Sequence, residues 1–331
     1  MYSDEDLDSA VQAGVLDATT ASAFREHVLR RGRSASVDEE RFRLITGFND
    51  IFVVIACALM LGSAFWIGQS WAPVAGGVAV AAVAWVLAEF FVRKRRMALP
   101  AIVLALAFTG SFAALGAAWV DSLRALPFVV CGGAMVAAGL YWWRFRVPIA
   151  IALGVAALLG LLGTFVFAYI PYLREHSGAV FFIGGILAFI TAMYWDGRDR
   201  LRSTQRADIA FWLHLLAAPL LVHPVFANLA VSDTATVGMG QALAVIALYA
   251  VLGIVSLAID RRALMVSALA YVLFTFTGLL QQYGVVTLSF AITALIIGSA
   301  LLLLSACWHT SRGFVLRCLP HALRMRLPVY R

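Results

Sequence analysis

The fold is decided by the stretch from Pro148 to Ile170, where the chain has the sequence PIAIALGVAALLGLLGTFVFAYI. These 23 residues include no Asp, Glu, Lys or Arg. A helix of about 20 apolar residues crosses the roughly 30 Å hydrocarbon core of a bilayer. The stretch is therefore predicted to form a transmembrane helix.

Similar stretches recur along the whole chain, of whose 331 residues 63% are hydrophobic and 13% charged. Soluble domains have about 45–50% and about 25%, respectively. No segment alternates like the strand of a membrane barrel, so each span must satisfy its backbone hydrogen bonds as a helix. The sequence predicts an all-α polytopic transmembrane bundle of about ten spans. Their predicted bounds are Ile51–Gly68, Ala72–Val92, Leu99–Val120, Ala125–Trp143, Pro148–Ile170, Gly178–Tyr194, Ile209–Leu229, Gly238–Ile259, Leu264–Leu280 and Val285–Cys307.

The basic residues orient this bundle. Of the 25 Lys and Arg residues, 23 lie in the two tails and in every second gap between spans, and only Arg124 and Arg174 lie in the other gaps. Short loops rich in Lys and Arg stay on the cytoplasmic side, so both termini are predicted to be cytoplasmic. The same residues are expected to contact anionic lipid headgroups. With Lys94 as the only lysine and with abundant Ala and Gly, the composition favours a bacterial cytoplasmic (inner) membrane.

Three regions follow from these boundaries. Residues 1–48 are predicted to form a cytoplasmic helical hairpin and linker, with Gly14 between the helices and Asp17 as the cap of the second. The first helix is acidic, which argues against nucleic-acid binding, and a protein partner would bind at this hairpin. Residues 49–309 would form five two-span hairpins. Residues 310–331 would form a basic amphipathic tail in the headgroup layer.

A resemblance to a known family is spread along the chain. The segments that carry it are Asp6-Leu7, Ala13-Gly14-Val15-Leu16, Trp66-Ile67-Gly68-Gln69-Ser70-Trp71, Leu319-Pro320 and Leu327-Pro328. Together they resemble the bacterial multi-span membrane proteins grouped as domain of unknown function 2157. That family has no assigned activity, so the resemblance implies an architecture and no chemistry.

Motifs for catalysis or metal binding do not occur in the sequence. There is no nucleophile–base pair, His-Glu-x-x-His motif or glycine-rich phosphate loop, and the four cysteines have no paired spacing. We therefore expect neither an enzyme nor a protein that holds a metal or a cofactor. Glu89, near the inner end of the second span, is predicted to pair with Arg93. No acid lies near the middle of a predicted span, which argues against an ion-coupled carrier.

The seventh span is the one unusual segment. Pro219 and Pro224 cannot donate backbone hydrogen bonds, so the helix is predicted to be broken or kinked there. His214 and His223 are nine residues apart and point to nearly opposite faces, so they cannot share a metal ion. With Asn228, these residues are the candidate lining of a polar path. The alternative is a Pro-kinked packing helix whose histidines bond to neighbouring carbonyls.

Two functions remain open on this basis. The favoured hypothesis is a small-molecule permease with a path along the seventh span and an unknown ligand. The alternative is a non-transporting membrane scaffold or envelope-associated factor that acts through its N-terminal hairpin. A cavity at mid-depth beside the seventh span would support the permease, whereas a dry bundle with surface grooves alone would favour the scaffold.

Overall fold

The computed structural model describes residues 4–24, 26, 48–120, 122–199, 202, 204–230, 239–262, 265–269, 272–273, 276–277, 289–318, 320 and 327. Within these residues, all regular secondary structure is helical. The helices are α1 (Asp4–Gln12), α2 (Phe48–Trp71), α3 (Pro73–Ala88, continued by a π-helical turn over Glu89–Lys94), α4 (Ala98–Trp119), α5 (Leu126–Phe145), α6 (Pro148–Tyr169), α7 (Tyr172–Glu175), α8 (Ser177–Arg198), α9 (Gln205–Ala230), α10 (Met239–Ile259), α11 (Ser289–Ala306) and α12 (Trp308–Cys318).

Seven helices in the described part of the chain are long and apolar enough to cross a membrane, namely α2 to α6, α8 and α9. They coincide with the first seven predicted spans, and the protein is a multi-pass integral membrane protein. α10 lies at the eighth predicted span and α11 at the tenth. Of the ninth, Leu264–Leu280, the structure describes residues 265–269, 272–273 and 276–277. A total of ten spans therefore stays a prediction.

The predicted break in the seventh span is not observed. α9 is one continuous helix that contains both Pro219 and Pro224. Proline removes one backbone donor, but packing against neighbouring helices lets a membrane helix tolerate that loss. α9 can tolerate its two prolines in this way, because half of its most apolar stretch is buried against the rest of the protein. This is a larger share than in the other six spans.

Successive long helices run in opposite directions. One apolar cluster joins the end of α5, the start of α6, the end of α8 and the start of α9 (Trp142, Ala152, Ala192 and Ile209). At their other ends, the Phe128 ring of α5 and the Phe165 ring of α6 have centroids 4.8 Å apart. The gaps after α5 and α8 consequently lie at the same end of the bundle, which we call the basic end. Its assignment to the cytoplasm remains a prediction from charge.

The turns that follow α3, α5, α8 and α10 share one backbone feature. Each contains a non-glycine residue with positive φ: Arg96 (53°), Arg146 (55°), Arg202 (52°) and Asp260 (57°). Such a conformation is uncommon outside glycine and costs about 1–2 kcal/mol per residue. Four consecutive basic turns are thus built in the same strained way, with a charged side chain where glycine would be relaxed.

The core between the spans is made largely of small residues. Ala84 and Ala88 of α3, Ala137 of α5 and Ala188 of α8 are completely buried. A Cβ atom added to Gly185 of α8 would lie 2.9 Å from the backbone nitrogen of Leu221 in α9. Small residues allow membrane helices to approach this closely, and van der Waals packing then holds them together.

An aromatic cluster fills the basic-end half of α3, α4 and α5. The Trp85 ring lies 5.3 Å from Phe108 and 5.0 Å from Phe145, and Tyr141 lies 4.7 Å from Phe145. Beside it, Glu89 bonds to Arg144 at 2.7 Å and to Arg93 at 3.2 Å, which confirms the predicted Glu89–Arg93 pair. This part of the basic end is held by aromatic packing and a half-exposed ion pair.

The described N-terminal residues belong to a separate compact unit. α1 ends before Gly14, whose φ of +68° only glycine adopts without strain, and residues 18–24 are again helical. The Thr19 hydroxyl donates to the Asp17 carboxylate at the start of this second helix. This bond, with the backbone N–H groups of residues 18–20, lowers the pKa of Asp17.

The C-terminal helix α12 turns by 75° from α11 at the break next to Cys307. Trp308, Arg312 and Leu316 form its buried stripe, and Leu316 packs with Ile259 at the end of α10. Phe314 on the opposite face is 69% exposed. The tail was predicted to lie with its apolar face in the lipid headgroups, but one face of this helix packs on the protein itself.

Candidate functional site

The five candidate residues of the seventh span do not share one environment. His214 is 1% exposed and Pro224 is buried, whereas Pro219 and His223 are exposed. Asn228 belongs to α9, but its side chain lies outside the described part of the structure. His214 is therefore the candidate whose surroundings define a site.

His214 belongs to a buried charge cluster at the basic end. Its Nε2 atom lies 3.1 Å from Oδ2 of Asp196, on the last turn of α8. The guanidinium group of Arg261, just after α10, binds the same carboxylate through two nitrogens. Nη2 donates to Oδ1 at 2.7 Å, and Nε donates to Oδ2 at 3.3 Å. The three side chains are at most 3% exposed. Both oxygens of the buried Asp196 carboxylate thus have charged or polar donors, as a stable buried charge requires.

A second carboxylate, that of Asp260, lies next to this cluster. Arg202 donates to its Oδ2 at 2.9 Å, and the Trp308 indole donates to its Oδ1 at 2.8 Å. Arg312 of α12 lies 3.6 Å from Oδ2. One carboxylate thereby joins the loop after α8, the turn after α10 and the C-terminal helix. We call the Asp196 and Asp260 clusters together the basic-end network.

Backbone contacts place these side chains. The Asp199 carboxylate accepts from the Thr204 backbone N–H at 2.8 Å and from its hydroxyl at 2.6 Å, which fixes the loop that leads into α9. Arg261 Nη2 also donates to the Ala207 carbonyl at 3.1 Å. The Ser256 hydroxyl donates to the Arg261 carbonyl, so the turn after α10 has its own support. The positions of the network side chains therefore depend on the turns as well as on the helices.

The network favours the charge of Asp260 and disfavours that of Arg202. Burial by itself would raise the pKa of Asp260, but the Trp308 N–H and the positive charges of Arg202, Arg312 and Arg261 outweigh burial and lower that pKa. For Arg202, burial and the nearby Arg261 charge lower the guanidinium pKa more than the two carboxylates raise it. Asp260 is therefore held as a carboxylate, beside arginines whose mutual repulsion it relieves.

Sequence reasoning missed Asp196 and Arg261 for two reasons. The sixth span was predicted to end at Tyr194, whereas α8 continues to Arg198 and so includes Asp196. The arginines of the basic gaps were also assigned to lipid contact, whereas Arg261 and Arg312 are buried. The usable signal was the presence of acids in otherwise basic gaps.

The mid-depth part of α9 is packed rather than open. Ala217 and Ala218 are completely buried, and Gly185 of α8 approaches the Leu221 backbone closely. A groove that rests on described residues lies on α2 alone, lined by Ala58, Leu59, Gly62, Ser63, Trp66 and Ile67. Among the described residues, no group of three or more His, Cys, Asp or Glu side chains could hold a metal ion. The side chains of Asp196, His214 and Arg261 can form ion pairs, and His214 can bind a proton.

Comparisons with known proteins found no relative of this chain. A scan against protein-family models, a search of curated proteins and a search of solved structures each found no match. The resemblance to the proteins of domain of unknown function 2157 accordingly stays an expectation from the sequence.

Proposed function

We propose that the protein is a permease-like carrier whose path for a small molecule runs along α9, a path that is closed at mid-depth by the packing of α8 against α9 and at the basic end by the basic-end network. The observation that carries the proposal is the Asp196–His214–Arg261 cluster. Ionisable side chains buried in membrane helices are costly and by default mark a functional site. Here Asp196 lies on α8, His214 lies on α9, and Arg261 follows α10.

The arrangement of the network supports a closing role. A path that opens at the basic end needs the loop after α8, the turn after α10 and helix α12 to separate. The Asp196–Arg261 pair and the Asp260 contacts with Arg202 and Trp308 join just these segments. Charge pairs of this kind have two discrete arrangements, joined or separated, which suits a two-state closure.

A second candidate function is the non-transporting scaffold or envelope-associated factor. The close approach of Gly185 to the Leu221 backbone favours it, because that contact leaves no room between α8 and α9 at mid-depth. In this case the basic-end network is a structural clamp, and function lies with the N-terminal hairpin and a protein partner.

Cysteine accessibility along α9 separates the two. Three native cysteines, Cys57, Cys131 and Cys307, are replaced by Ala. The fourth, Cys318, is exposed and serves as an internal reference. Single cysteines are then placed at Ala217 and Val222, which are buried, and at Leu215, which is 38% exposed on the outer face. A small charged methanethiosulfonate reagent is added to membranes that hold the protein.

A permease takes the reagent into its path, so Ala217→Cys and Val222→Cys are modified while Leu215→Cys, which faces lipid, is not. If Cys318 is modified and both interior positions remain unmodified, the permease is wrong and the scaffold stands. The reagent itself is the probe, so the test needs no knowledge of the substrate.

The membrane topology forms part of the same proposal. The basic end faces the cytoplasm of a bacterial inner membrane, both termini are cytoplasmic, and the exposed run from Arg93 to Arg96 contacts anionic headgroups. Green fluorescent protein fused after Arg331 would then fluoresce, and alkaline phosphatase at the same place would be inactive. The reverse pattern would contradict this orientation.

A further inference from the structure

We infer that His214 is a proton-binding site: its Nδ1 atom takes up a proton when the basic-end network opens and loses it when the network closes. The inference rests on the closing role given to the network above. It adds that the opening of the network is coupled to the binding of a proton, and it names the atom that binds this proton.

The hydrogen bonds of the closed state define which nitrogen is available. Asp196 is a carboxylate held by Arg261 and can only accept, so His214 donates its Nε2 proton across the 3.1 Å contact. Nδ1 then carries the lone pair of a neutral imidazole. It is buried, and it has no hydrogen-bond partner among the described residues. The closed state thus holds a neutral histidine with one unused basic nitrogen.

A second proton on this ring is disfavoured while the site is closed. The new N–H at Nδ1 would be a buried donor with no described acceptor, which is costly. The positive charges of Arg261 and Arg202 also act on the ring, and the Asp196 charge that would favour a cation is already engaged with Arg261. Phe189 of α8 covers the ring edge-on at 5.3 Å between centroids.

The other groups around the ring do not change this balance. On α9 itself, Asp208 interacts with Arg261. The side chains that α6 contributes to the neighbouring cluster are apolar, namely Ile151, Ala152 and Val155. Among the described residues, the charged groups that act on His214 are therefore one carboxylate, which is shared with an arginine, and two guanidinium groups.

Opening reverses these conditions. Once the turn with Arg261 moves away, water reaches Nδ1 and solvates an N–H there, and Asp196 is released to stabilise the imidazolium. One N–H bond forms at Nδ1 with a proton from water at the basic face, the Nε2–H bond stays, and the charge of the site rises by one. Because the ordinary pKa of histidine lies near neutrality, this exchange is accessible at physiological pH. Acidification is thus expected to favour the open state.

The test measures how pH changes the exposure of the basic end. Ala207 is 7% exposed and only its backbone carbonyl bonds to Arg261, so Ala207→Cys is a conservative reporter. Cys318 stays as the exposed reference, and Cys57, Cys131 and Cys307 are replaced by Ala. N-ethylmaleimide labels both sites in one sample, and the ratio of the two rates cancels the ordinary pH dependence of thiol reactivity.

The expected result is a ratio that rises at least fivefold between about pH 7.5 and about pH 5.5, since one proton changes an equilibrium by up to about tenfold per pH unit. In His214→Gln, which keeps a donor for Asp196 and cannot titrate, the ratio stays constant. His223→Gln is the matched control on the exposed face of the same helix and keeps the rise. His214→Asn replaces the Gln variant if the latter does not fold.

A ratio that stays flat with His214 present overturns the inference, and so does a rise that survives in His214→Gln. The outcome is separable from that of the permease. A pH-dependent ratio together with unmodified cysteines at Ala217 and Val222 leaves the proton site in place and removes the transport path. Modified interior cysteines with a flat ratio leave the path and remove the proton site.

Discussion

Arg202 and Asp260 form a salt bridge of 2.9 Å although both have left-handed backbones, with φ of 52° and 57°. Arg202 also donates to the carbonyls of Ile259 and Asp260, at 3.1 Å and 3.3 Å. Strained residues of this kind cost about 1–3 kcal/mol each and persist only where surrounding contacts determine them. The two turns therefore stabilise each other, and a change in one is felt in the other.

The Asp196–Arg261 pair should behave as a coupled unit. Asp196→Asn or Arg261→Met alone leaves an uncompensated buried charge and is expected to lower the free energy of unfolding by about 3–5 kcal/mol. The double variant should lose clearly less than the sum of the two. Denaturant unfolding of the purified protein in detergent measures all three. Additive losses would show that the two groups do not interact as the 2.7 Å contact indicates.

Trp308 should contribute through its indole N–H. Trp308→Phe keeps most of the buried ring but removes the donor to the Asp260 carboxylate, and is expected to cost about 2 kcal/mol. Trp119→Phe is the control, because Trp119 is 75% exposed and should change thermal stability little. Equal shifts in the melting temperature of both variants would contradict a specific role for the Trp308–Asp260 bond.

Two adjacent glycines of α8 should respond in opposite ways. A Cβ at Gly185 would lie 2.9 Å from the Leu221 backbone, so Gly185→Ala must separate α8 from α9 and is expected to destabilise by about 1–3 kcal/mol. Gly184 has no atom within 4 Å of such a Cβ. Gly184→Ala should be neutral or slightly stabilising, since alanine favours helix. A neutral Gly185→Ala in thermal unfolding would contradict the close helix contact.

The strained turn at the end of α3 offers another matched pair. Arg96 has φ of 53°, so Arg96→Gly should stabilise by about 1 kcal/mol through relief of the left-handed strain. Arg95 has φ of −90°, and Arg95→Gly should cost about 0.5–1 kcal/mol because glycine loses more freedom on folding. Both variants remove one positive charge, so charge cannot explain a difference between them. The same sign of change in denaturant unfolding would contradict the prediction.

Acid should weaken the contact between α12 and the rest of the basic end. The pKa of Asp260 is lowered from 3.8, so its contribution is complete above that value and disappears as the pH falls through the lower pKa of the folded protein. Asp260→Asn lacks this contribution at every pH, and Asn also tolerates positive φ. The difference in melting temperature between wild type and Asp260→Asn should therefore shrink as the pH falls from about 4 towards about 2. A constant difference over that range would contradict the assignment.

Much of the helix framework could be predicted because it depends on local properties. The span predicted for Pro148–Ile170 is observed as Pro148–Tyr169, since a run of apolar residues after a proline both enters the membrane and begins a helix. The end of α8 was predicted four residues too early. Its position depends on contacts of Asp196 with residues far along the chain, and no local pattern reports these.

The candidate site was predictable only in part. His214 was identified because it lies in the seventh span with its two prolines. Its partner Asp196 was placed outside the membrane helix, and Arg261, which binds the same carboxylate, is 47 positions from His214. Because of the two prolines, a polar path was predicted at mid-depth, but α9 is tightly packed there. The polar chemistry lies instead at the basic end.

The sequence by itself determined that the chain is a multi-pass membrane protein made of helices, because apolar length and the need to satisfy backbone hydrogen bonds are properties of each segment alone. The alternation of basic residues likewise marked which turns lie at one end. Only the tertiary structure decided which of those charges face outward and which are buried in pairs. That choice depends on the distance between groups on different helices, and a buried arginine and a lipid-facing one look the same in the sequence.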